Sequence, residues 1–518
     1  MGFTRRKWMF GIAGITSGCA TRSRSRPAAD SITILYPYDD TVLGPNMDMP
    51  AQFMMFLPLT ARNATGELEG RLAEHWEHSP DYRKWTIRLR SGVRWHDGVP
   101  VTAHDIKFNL ELRSHPDLMW FPPNSFNVKV IDELTYTITY LRDGLSGSAL
   151  DDWTVYYPKH RIEKLSRDEY YSWDFWKHPI GNGPYRHVRT VPKTMLQLEA
   201  NPDYYRGEPN IRNVVLKFGA TQESGMSPAT IELLSGNADA ATSVKRTDVL
   251  KLATDPRFRV YDQVSSDLFT VLFLNHRHLL FRDPVVRRAL TLAIDRYELA
   301  QILNFPPTTP VFDSPFSKNQ LRRRDLPPPI PHDRELANSL LDGTGWHKRN
   351  RQGTRERNGK EFSFKLIRGT KGGAGQHEAA VYIQAQLERV GVRMNIEPME
   401  GPTVWQRAAT GDYEAAISIM LPGWDPGGGA RRFLESAGYK SSRFVVLADR
   451  LQAALDPERQ DGLYGEMTSL FQEDVPAIFL YPHIYTTIAS RRIIGLDRSP
   501  NPGDLTWCMD DLSLAAKV

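Results

Sequence analysis

One stretch of the chain, residues 72 to 110, predicts a compact set of strands, turns and a helix. Its first strand has alternating apolar residues, typical of a strand with one buried face: Trp85, Ile87 and Leu89. A second short strand over Val93–Trp95 leads to a turn at Gly98, where glycine permits a positive φ. Thr102, followed three residues later by Asp105, has the spacing of a capping box and predicts a helix start. The stretch therefore predicts an α/β unit.

The length of the chain and two later segments predict a larger α/β protein. With 518 residues the chain is too long for one hydrophobic core, and about two or three domains are expected. Phe269–Asn275 is a continuous apolar run of the kind that forms a strand covered on both faces. Asp283 and Pro284 then have the pattern of a helix N-terminus, and apolar residues at helical spacing continue to Tyr297.

The composition argues against nucleic acid as a partner. Hydrophobic residues make up 41% of the chain and charged residues 24%, which is typical of a globular protein in water. The formal net charge is +4, and three of the cations, Arg5–Lys7, lie in a segment that we expect to be removed. A mature chain so close to neutral has no electrostatic surplus for binding phosphate backbones.

Several separated segments resemble motifs of one protein family. They are the stretch at 72 to 110, the sequence GNGPY at 181–185, PVVRRALTLAIDR at 284–296 and AIFLY at 477–481. Together they resemble the family 5 solute-binding proteins, the extracytoplasmic receptors of dipeptide, oligopeptide and nickel ABC importers. The resembling segments occur in the family's order between residues 31 and 500.

The resemblance implies a two-lobed α/β fold of the periplasmic-binding-protein type (type II) with an extra inserted α/β domain. Its implied boundaries are residues 31–62, 180–272 and 481–518 for lobe I, 63–179 for the inserted domain and 273–480 for lobe II. We expect two crossings between the lobes, one near Gly181–Pro184 and one at Phe269–Asn275. Such crossings would let the lobes close over a solute by hinge motion.

The N-terminus has the features of an export signal. Arg5–Lys7 precede an apolar run over Trp8–Ile15, which is shorter than the ~20 residues that a membrane-spanning helix needs. The cationic part resembles a twin-arginine signal. The residues up to Cys19 resemble a lipobox, with Thr16 in place of the usual leucine.

We therefore predict residues 1–18 as a signal peptide, Cys19 as a lipidation site that anchors the protein to the membrane, and residues 19–30 as a flexible tether. Ordinary cleavage near Ala28-Ala29, with loss of Cys19, is the alternative. The chain has one other cysteine, Cys508, and we expect no disulfide between the two.

The resemblance also implies residues that contact the solute. Peptide-binding members have an aspartate for the ligand's ammonium group after a strand that corresponds to Tyr413–Ile419, and Asp425, beside Trp424, is the available carboxylate there. Arg368 stands where some dipeptide-binding members bind the ligand carboxylate, and the guanidinium fork suits that role. Trp405 and Asn182 complete the predicted ligand-binding set.

Two of these residues have simpler interpretations that the sequence leaves open. Asp425 precedes Pro426 and a run of glycines, so it also fits a residue that only starts a turn. Arg368 also fits a solvated arginine at the end of a strand. Near Glu400, where the family often has an aromatic residue, the chain has Gly401.

No catalytic or cofactor-binding motif appears in the sequence. The nucleophile motif GxSxG and the zinc motif HExxH are absent. His276 and His278 could chelate a metal from one face of a strand, but no acidic residue or cysteine lies near them in sequence, and two imidazoles alone make a poor site. We therefore expect no enzyme activity, no cofactor and no metal site.

The predicted function is capture of a solute for import. Peptide is the leading solute, delivered to the permease subunits of an ABC transporter, and the protein is expected in the periplasm or at the cell surface. An oligosaccharide, a nickel chelate or an opine is the alternative within the same class. An enzyme on the same scaffold is the alternative from another class, and it lacks a nucleophile, base or metal cluster in the sequence.

Overall fold

The computed structural model of the protein describes residues 30–36, 51–62, 68–114, 124–141, 150, 154–219, 227–242, 244, 246–316, 326–370, 375–420, 426–454, 457–499 and 505–515. The strands are β1 Ser31–Leu35, β2 Thr60–Arg62, β3 Leu68–Gly70, β4 Ala73–His78, β5 Lys84–Leu89, β6 Phe126–Val130, β7 Thr135–Tyr140, β8 Tyr185–Val191, β9 Met195–Ala200, β10 Asn213–Lys217, β11 Ala240–Thr242, β12 Phe258–Leu274, β13 Lys348–Arg349, β14 Arg355–Arg357, β15 Lys360–Glu361, β16 Ser363–Gly369, β17 Arg393–Met399, β18 Ala415–Met420, β19 Ile478–Ser490, β20 Ile493–Ile494 and β21 Ser513–Leu514.

The α-helices are α1 Gln52–Met55, α2 Ala103–Arg113, α3 Lys159–Ile162, α4 Pro228–Leu234, α5 Arg246–Leu252, α6 Pro284–Ala293, α7 Arg296–Ile302, α8 Arg334–Gly343, α9 Gln376–Arg389, α10 Gly401–Thr410, α11 Pro426–Ser436, α12 Ser442–Ala453 and α13 Pro457–Asp474. Within the described ranges, no helix combines the length and the apolar character needed to cross a membrane. The predicted signal peptide and Cys19 lie outside the described residues. Cys508 is buried in a 3-10 segment over Leu505–Asp511.

A ten-stranded mixed sheet runs through the molecule in the order β17-β16-β18-β12-β19-β11-β1-β10-β9-β8. A separate four-stranded antiparallel sheet has the order β4-β5-β7-β6. Apolar residues of β1 and of β5 belong to the same hydrophobic core, so the predicted inserted domain is packed directly onto lobe I. The predicted domain boundaries themselves stay predictions.

The stretch at 72 to 110 folds largely as its sequence predicts. The three alternating apolar residues of β5 are buried, as expected for a strand with one covered face. The helix start is also confirmed, because the carboxylate of Asp105 accepts a hydrogen bond from the Thr102 backbone N–H at 2.8 Å. The predicted strand at Val93–Trp95 is present only as a single antiparallel β-bridge, between Arg94 and Pro100. Trp95 N–H donates to the Val99 carbonyl at 2.8 Å, which folds this segment into a tight turn.

The predicted helix after Asp283 begins as expected but ends early. The Asp283 carboxylate accepts a hydrogen bond from Val285 N–H at 2.9 Å, and Pro284 occupies the first turn. The helix ends at Ala293 because the next residue is extended and Asp295 caps a second helix, α7. Tyr297 consequently lies on α7 and is exposed rather than part of a buried face.

Two arginines of the 284–296 motif bind backbone carbonyls inside lobe II. Arg287 is buried and donates to the carbonyls of Phe281 and Val475 at 2.6 and 2.8 Å. Burial lowers the pKa of Arg287 to about 10. Arg296 donates to the carbonyl of Ile330 and to the Asp313 carboxylate at 2.7 and 2.6 Å. Since a buried carbonyl without a donor is costly, these arginines stabilise the loops that surround the central strands.

The lobes are connected by a pair of long strands, β12 and β19. Their antiparallel pairing extends from Phe258↔Ser490 to Val264↔Ile484, breaks, and resumes at Phe269↔Pro482. Residues 265–268 of β12 and His483 of β19, which we call the crossing, lie at this break. On the lobe I side of the crossing, β19 pairs with β11. On the lobe II side, β12 pairs with β18. The residues of Phe269–Leu274 alternate between cores on the two faces of the sheet, which confirms the predicted covered strand.

The crossing predicted at Phe269–Asn275 lies just before that segment, at residues 265–268, and the other predicted crossing, at Gly181–Pro184, is wrong. Gly181 and Gly183 lie against the backbone of α1 within lobe I, and Gly183 N–H donates to the Met55 carbonyl at 2.8 Å. The neighbouring ring of His96 accepts from Gly181 N–H through Nδ1 and faces the Gly183 carbonyl through Nε2, each at 3.1 Å. Burial lowers the pKa of His96 to about 4, so the ring is neutral at pH 7 and carries its proton on Nε2. In the predicted domain organisation, this segment follows the boundary between the inserted domain and lobe I.

Gly181→Ala tests the close backbone contact at this junction. A Cβ at residue 181 would lie 1.8 Å from the Met55 carbonyl oxygen, so α1 or the 181–185 segment must move. We expect the free energy of unfolding to fall by more than about 2 kcal/mol, measured by urea unfolding. Gly465→Ala is the matched control, because a Cβ there meets nothing within 4 Å and alanine favours its helix. Equal stability of the two variants would contradict the contact.

Candidate ligand-binding site

The parallel strands of lobe I end beside the crossing. Strand β1 is parallel to both β10 and β11. Strand β11 is antiparallel to β19, and its last residue, Thr242, pairs with Thr487, three residues beyond Ile484. The carboxyl ends of β1 and β11 are therefore directed at the crossing.

The parallel strands of lobe II end at the same place. Strand β16 is parallel to both β17 and β18. The last residue of β18, Met420, pairs with Phe269, the first residue of β12 after the break. Since solutes bind open α/β sheets outside the carboxyl ends of their strands, the candidate site lies at the crossing, between two sets of such ends.

Arg368 lies at this edge, one residue before the end of β16. Its Nη1 donates to the neighbouring Gly369 carbonyl at 2.8 Å. Its Nε is buried and has no hydrogen-bond partner among the described residues. A buried donor without an acceptor is costly, so the guanidinium group has capacity for an additional acceptor at this edge of the sheet.

Trp405 lies beyond the next strand, on the helix that follows β17. The helix α10 begins after Glu400, whose carboxylate accepts a hydrogen bond from Thr370 at 3.3 Å. This bond joins the residues that follow β16 and β17. The start of α10 therefore lies near the end of β16, where Arg368 is located. Trp405 is 51% exposed, so a large apolar ring is available to a ligand.

The remaining predicted residues are placed differently. Trp424 and Asp425 lie outside the described residues, between β18 and α11. Asn182 lies beside α1, where it is 1% exposed and its Oδ1 accepts from Leu57 N–H at 2.9 Å. The topology thus places Arg368 at the end of β16 and Trp405 after the end of the neighbouring β17, whereas Asn182 has a separate, structural environment.

A polar cluster on the lobe I side of the crossing was not predicted from the sequence. Arg246 at the start of α5 contacts the Asp262 carboxylate of β12 at 2.5 Å and the Thr486 hydroxyl of β19 at 3.0 Å. In the sequence, this cluster is indicated by Arg246 itself, a cation just after the strand that follows Gly236-Asn237-Ala238-Asp239. That signal is too common to identify a site without the strand pairing.

The histidine pair does not converge on a metal site in the described structure. His276 Nε2 lies 2.9 Å from the Pro476 carbonyl, and burial beside Arg287 lowers the pKa of His276 to about 4. His278 packs against the ring of Phe281. Among the described residues, no group of three or more histidine, cysteine, aspartate or glutamate side chains has the geometry to hold a metal ion.

Comparison with known proteins places the chain in a family. The model of the bacterial extracellular solute-binding proteins, family 5 middle, matches residues 67–441. The oligopeptide-binding protein AppA of Bacillus subtilis is 24% identical over 474 residues, which cover 86% of this chain and 83% of AppA.

Two solved structures have the same fold. The structure of Bacillus subtilis AppA in complex with a nonapeptide has a TM-score of 0.74 at 21% identity, covering 94% of this chain and 99% of that one. The structure of NikZ from Campylobacter jejuni in complex with Ni(L-His) has a TM-score of 0.77 at 20% identity, covering 94% and 100%.

The chain therefore belongs to the bacterial extracellular solute-binding proteins of family 5. The family and the two-lobed α/β fold predicted from the sequence are both confirmed. The members of this family are solute-binding proteins of ABC importers and are not enzymes. The family does not by itself identify the solute.

Proposed function

We propose that this protein captures peptides at the crossing between its lobes and delivers them to the permease subunits of an ABC importer. The observation that supports this most strongly is the convergence of strand ends. The carboxyl ends of β1 and β11 in lobe I and of β16 to β18 in lobe II are directed at one place. A solute held there contacts both lobes, so its binding favours the closed arrangement.

Peptide is favoured over other solutes by the chemistry available at that edge. Arg368 offers a buried N–H donor, and a guanidinium group binds a carboxylate in a planar, bidentate manner. Trp405 offers an exposed ring for side chains or backbone. In this proposal Asp425 pairs with the ligand's ammonium group and Trp424 packs beside it. AppA, whose name and structure describe oligopeptide binding, supports the same solute class.

A nickel chelate, an oligosaccharide or an opine is the alternative solute. NikZ in complex with Ni(L-His) has the same fold, so a small metal chelate is compatible with this scaffold. An anionic chelate or opine would also use Arg368, whereas a sugar would depend more on Trp405. The ligand screen below separates these cases.

A thermal-shift screen of di- to pentapeptides, oligosaccharides, opines and nickel chelates identifies the solute class. We expect peptides to raise the melting temperature, because a ligand at 100 times its Kd adds about 2.7 kcal/mol to the free energy of unfolding. Arg368→Met should lower the affinity for a peptide with a free C-terminal carboxylate by about tenfold or more. The affinity for the C-terminally amidated peptide should be the same in the variant and in the unchanged protein. Lys365→Met, which changes an exposed residue of the same strand, is the control and should bind both peptides normally.

Three outcomes of this screen would contradict parts of the proposal. If no peptide stabilises the protein but a sugar or chelate does, the peptide assignment is wrong and the family placement stands. If Arg368→Met weakens free and amidated peptides equally, Arg368 does not bind the carboxylate. If N-acetylated peptides bind as well as free ones, Asp425 does not pair with an ammonium group.

We also propose that the mature protein is a lipoprotein, anchored to the membrane through Cys19. The basis is the lipobox-like sequence that ends at Cys19 and the tether predicted over residues 19–30. Cells that express the protein should incorporate a fatty-acid probe into it, and Cys19→Ser should abolish incorporation, whereas Cys508→Ser should not change it. Incorporation that persists in Cys19→Ser would place the lipid elsewhere, and no incorporation in the unchanged protein would favour cleavage near Ala28-Ala29.

A further inference from the structure

Arg246 is held in place by both strands of the crossing on the side of lobe I. Its Nη1 lies 2.5 Å from Asp262 Oδ1, on β12, and 3.0 Å from Thr486 Oγ1, on β19. The Thr486 hydroxyl itself donates to Asp262 Oδ1 at 2.5 Å. Asp262 is two residues before Val264 and Thr486 two residues after Ile484, the last pair before the break. The Arg246 side chain is therefore fixed directly beside the crossing.

The same guanidinium group also reaches the opposite lobe. Arg246 Nε donates to the backbone carbonyl of Asn304 at 2.9 Å. Asn304 follows α7, whose residue Leu299 belongs to the core of lobe II together with Leu272. Arg246 begins α5, whose residues Val249 and Leu252 belong to the core of lobe I. This hydrogen bond thus connects the two lobes through groups outside the paired strands.

We propose that Arg246 is a latch that stabilises the arrangement in which the lobes are close together. This inference rests on the proposed function as a receptor that opens and closes. Rotation of the lobes about the crossing separates Asn304 from α5 and breaks the Nε–carbonyl hydrogen bond. Asp262 and Thr486 stay with lobe I and keep Arg246 oriented for the next closure.

The chemistry of arginine suits this role better than that of lysine. The guanidinium group is planar and presents Nε and Nη1 in fixed directions, so one side chain can hold lobe I with one donor and lobe II with the other. A hydrogen bond from a charged donor is also stronger than a neutral one. Because the bond to Asn304 exists only when the lobes are close, it shifts the equilibrium between the open and closed arrangements.

The irregular pairing at the crossing allows such a latch to act. Between Val264 and Phe269 of β12 the ladder of paired residues is interrupted, and β19 has Pro482, which lacks a backbone N–H, at the edge of the break. Fewer ladder hydrogen bonds must be deformed here when the lobes rotate. One charged hydrogen bond is then a substantial part of the energy difference between the two arrangements.

Spin-label distance measurements on the ligand-free protein test this proposal. Ile231→Cys on α4 of lobe I and Val446→Cys on α12 of lobe II provide exposed labelling sites. In this background, Arg246→Met should lower the ratio of the short-distance to the long-distance population by about tenfold. Arg246→Lys, which keeps the charge beside Asp262 but loses the fixed Nε donor, should shift the ratio in the same direction. Arg259→Met, an exposed arginine of β12 paired with Asp497, is the matched control and should leave the distances unchanged.

The outcomes separate this inference from the proposed function, because the distances are measured without any solute. Unchanged distance distributions in both Arg246 variants, with the secondary structure retained, would overturn the latch. A shift of equal size in Arg259→Met would also overturn it, since the effect would then follow from the loss of any surface cation. If the latch acts as proposed and peptide is the solute, Arg246→Met should additionally raise the apparent Kd by the same factor.

Discussion

The pairing of β12 with β19 is the interaction on which the rest of the structure depends. It makes the strands of both lobes members of one ten-stranded sheet, so each lobe completes its core against the same two strands. The pairing is long on either side of the crossing and interrupted within it. The continuous pairing within each lobe and the interruption between the lobes therefore belong to the same two strands, and the proposed solute site lies at the interruption.

The orientation of the strands is the reason for placing the proposed site at this position. Within lobe I the parallel strands run toward the crossing, and within lobe II they run toward it from the opposite side. Loops that follow strand ends are exposed and can vary without disturbing the core. The helix α10 with Trp405 follows the end of β17, and Trp424 and Asp425 follow β18 in the chain order, whereas Arg368 is the penultimate residue of β16 itself. One scaffold can thus present different side chains to different solutes.

Local features of the fold could be predicted from the sequence because they depend on neighbouring residues. The capping of α2 by Thr102 and Asp105, the start of α6 at Asp283 and the buried run of β12 are all short-range patterns, and all are confirmed. The end of α6 at Ala293 could not be predicted in this way. Asp295 caps the next helix, α7, but in the sequence it looks like a polar residue within one longer helix.

Long-range contacts could not be read from the sequence in the same way. Gly181 looks like a flexible connection, yet its lack of a side chain serves a backbone contact with α1, more than a hundred residues earlier. The second crossing strand, β19, is marked in the sequence only by the predicted boundary between residues 480 and 481, because a proline such as Pro482 usually argues against a central strand. Of the candidate site, the order of Arg368 and Trp405 along the strand ends was accessible, whereas the polar cluster around Arg246 depends on the pairing of β12 with β19.

The central claim is that the lobes close over a solute at the crossing. Small-angle X-ray scattering of the protein, with and without a saturating concentration of the solute found by thermal shift, measures this most directly. We expect the radius of gyration to decrease on saturation, as the lobes rotate about residues 265–268 and His483. A radius of gyration that is the same with and without the bound solute would contradict closure and would indicate a rigid cleft.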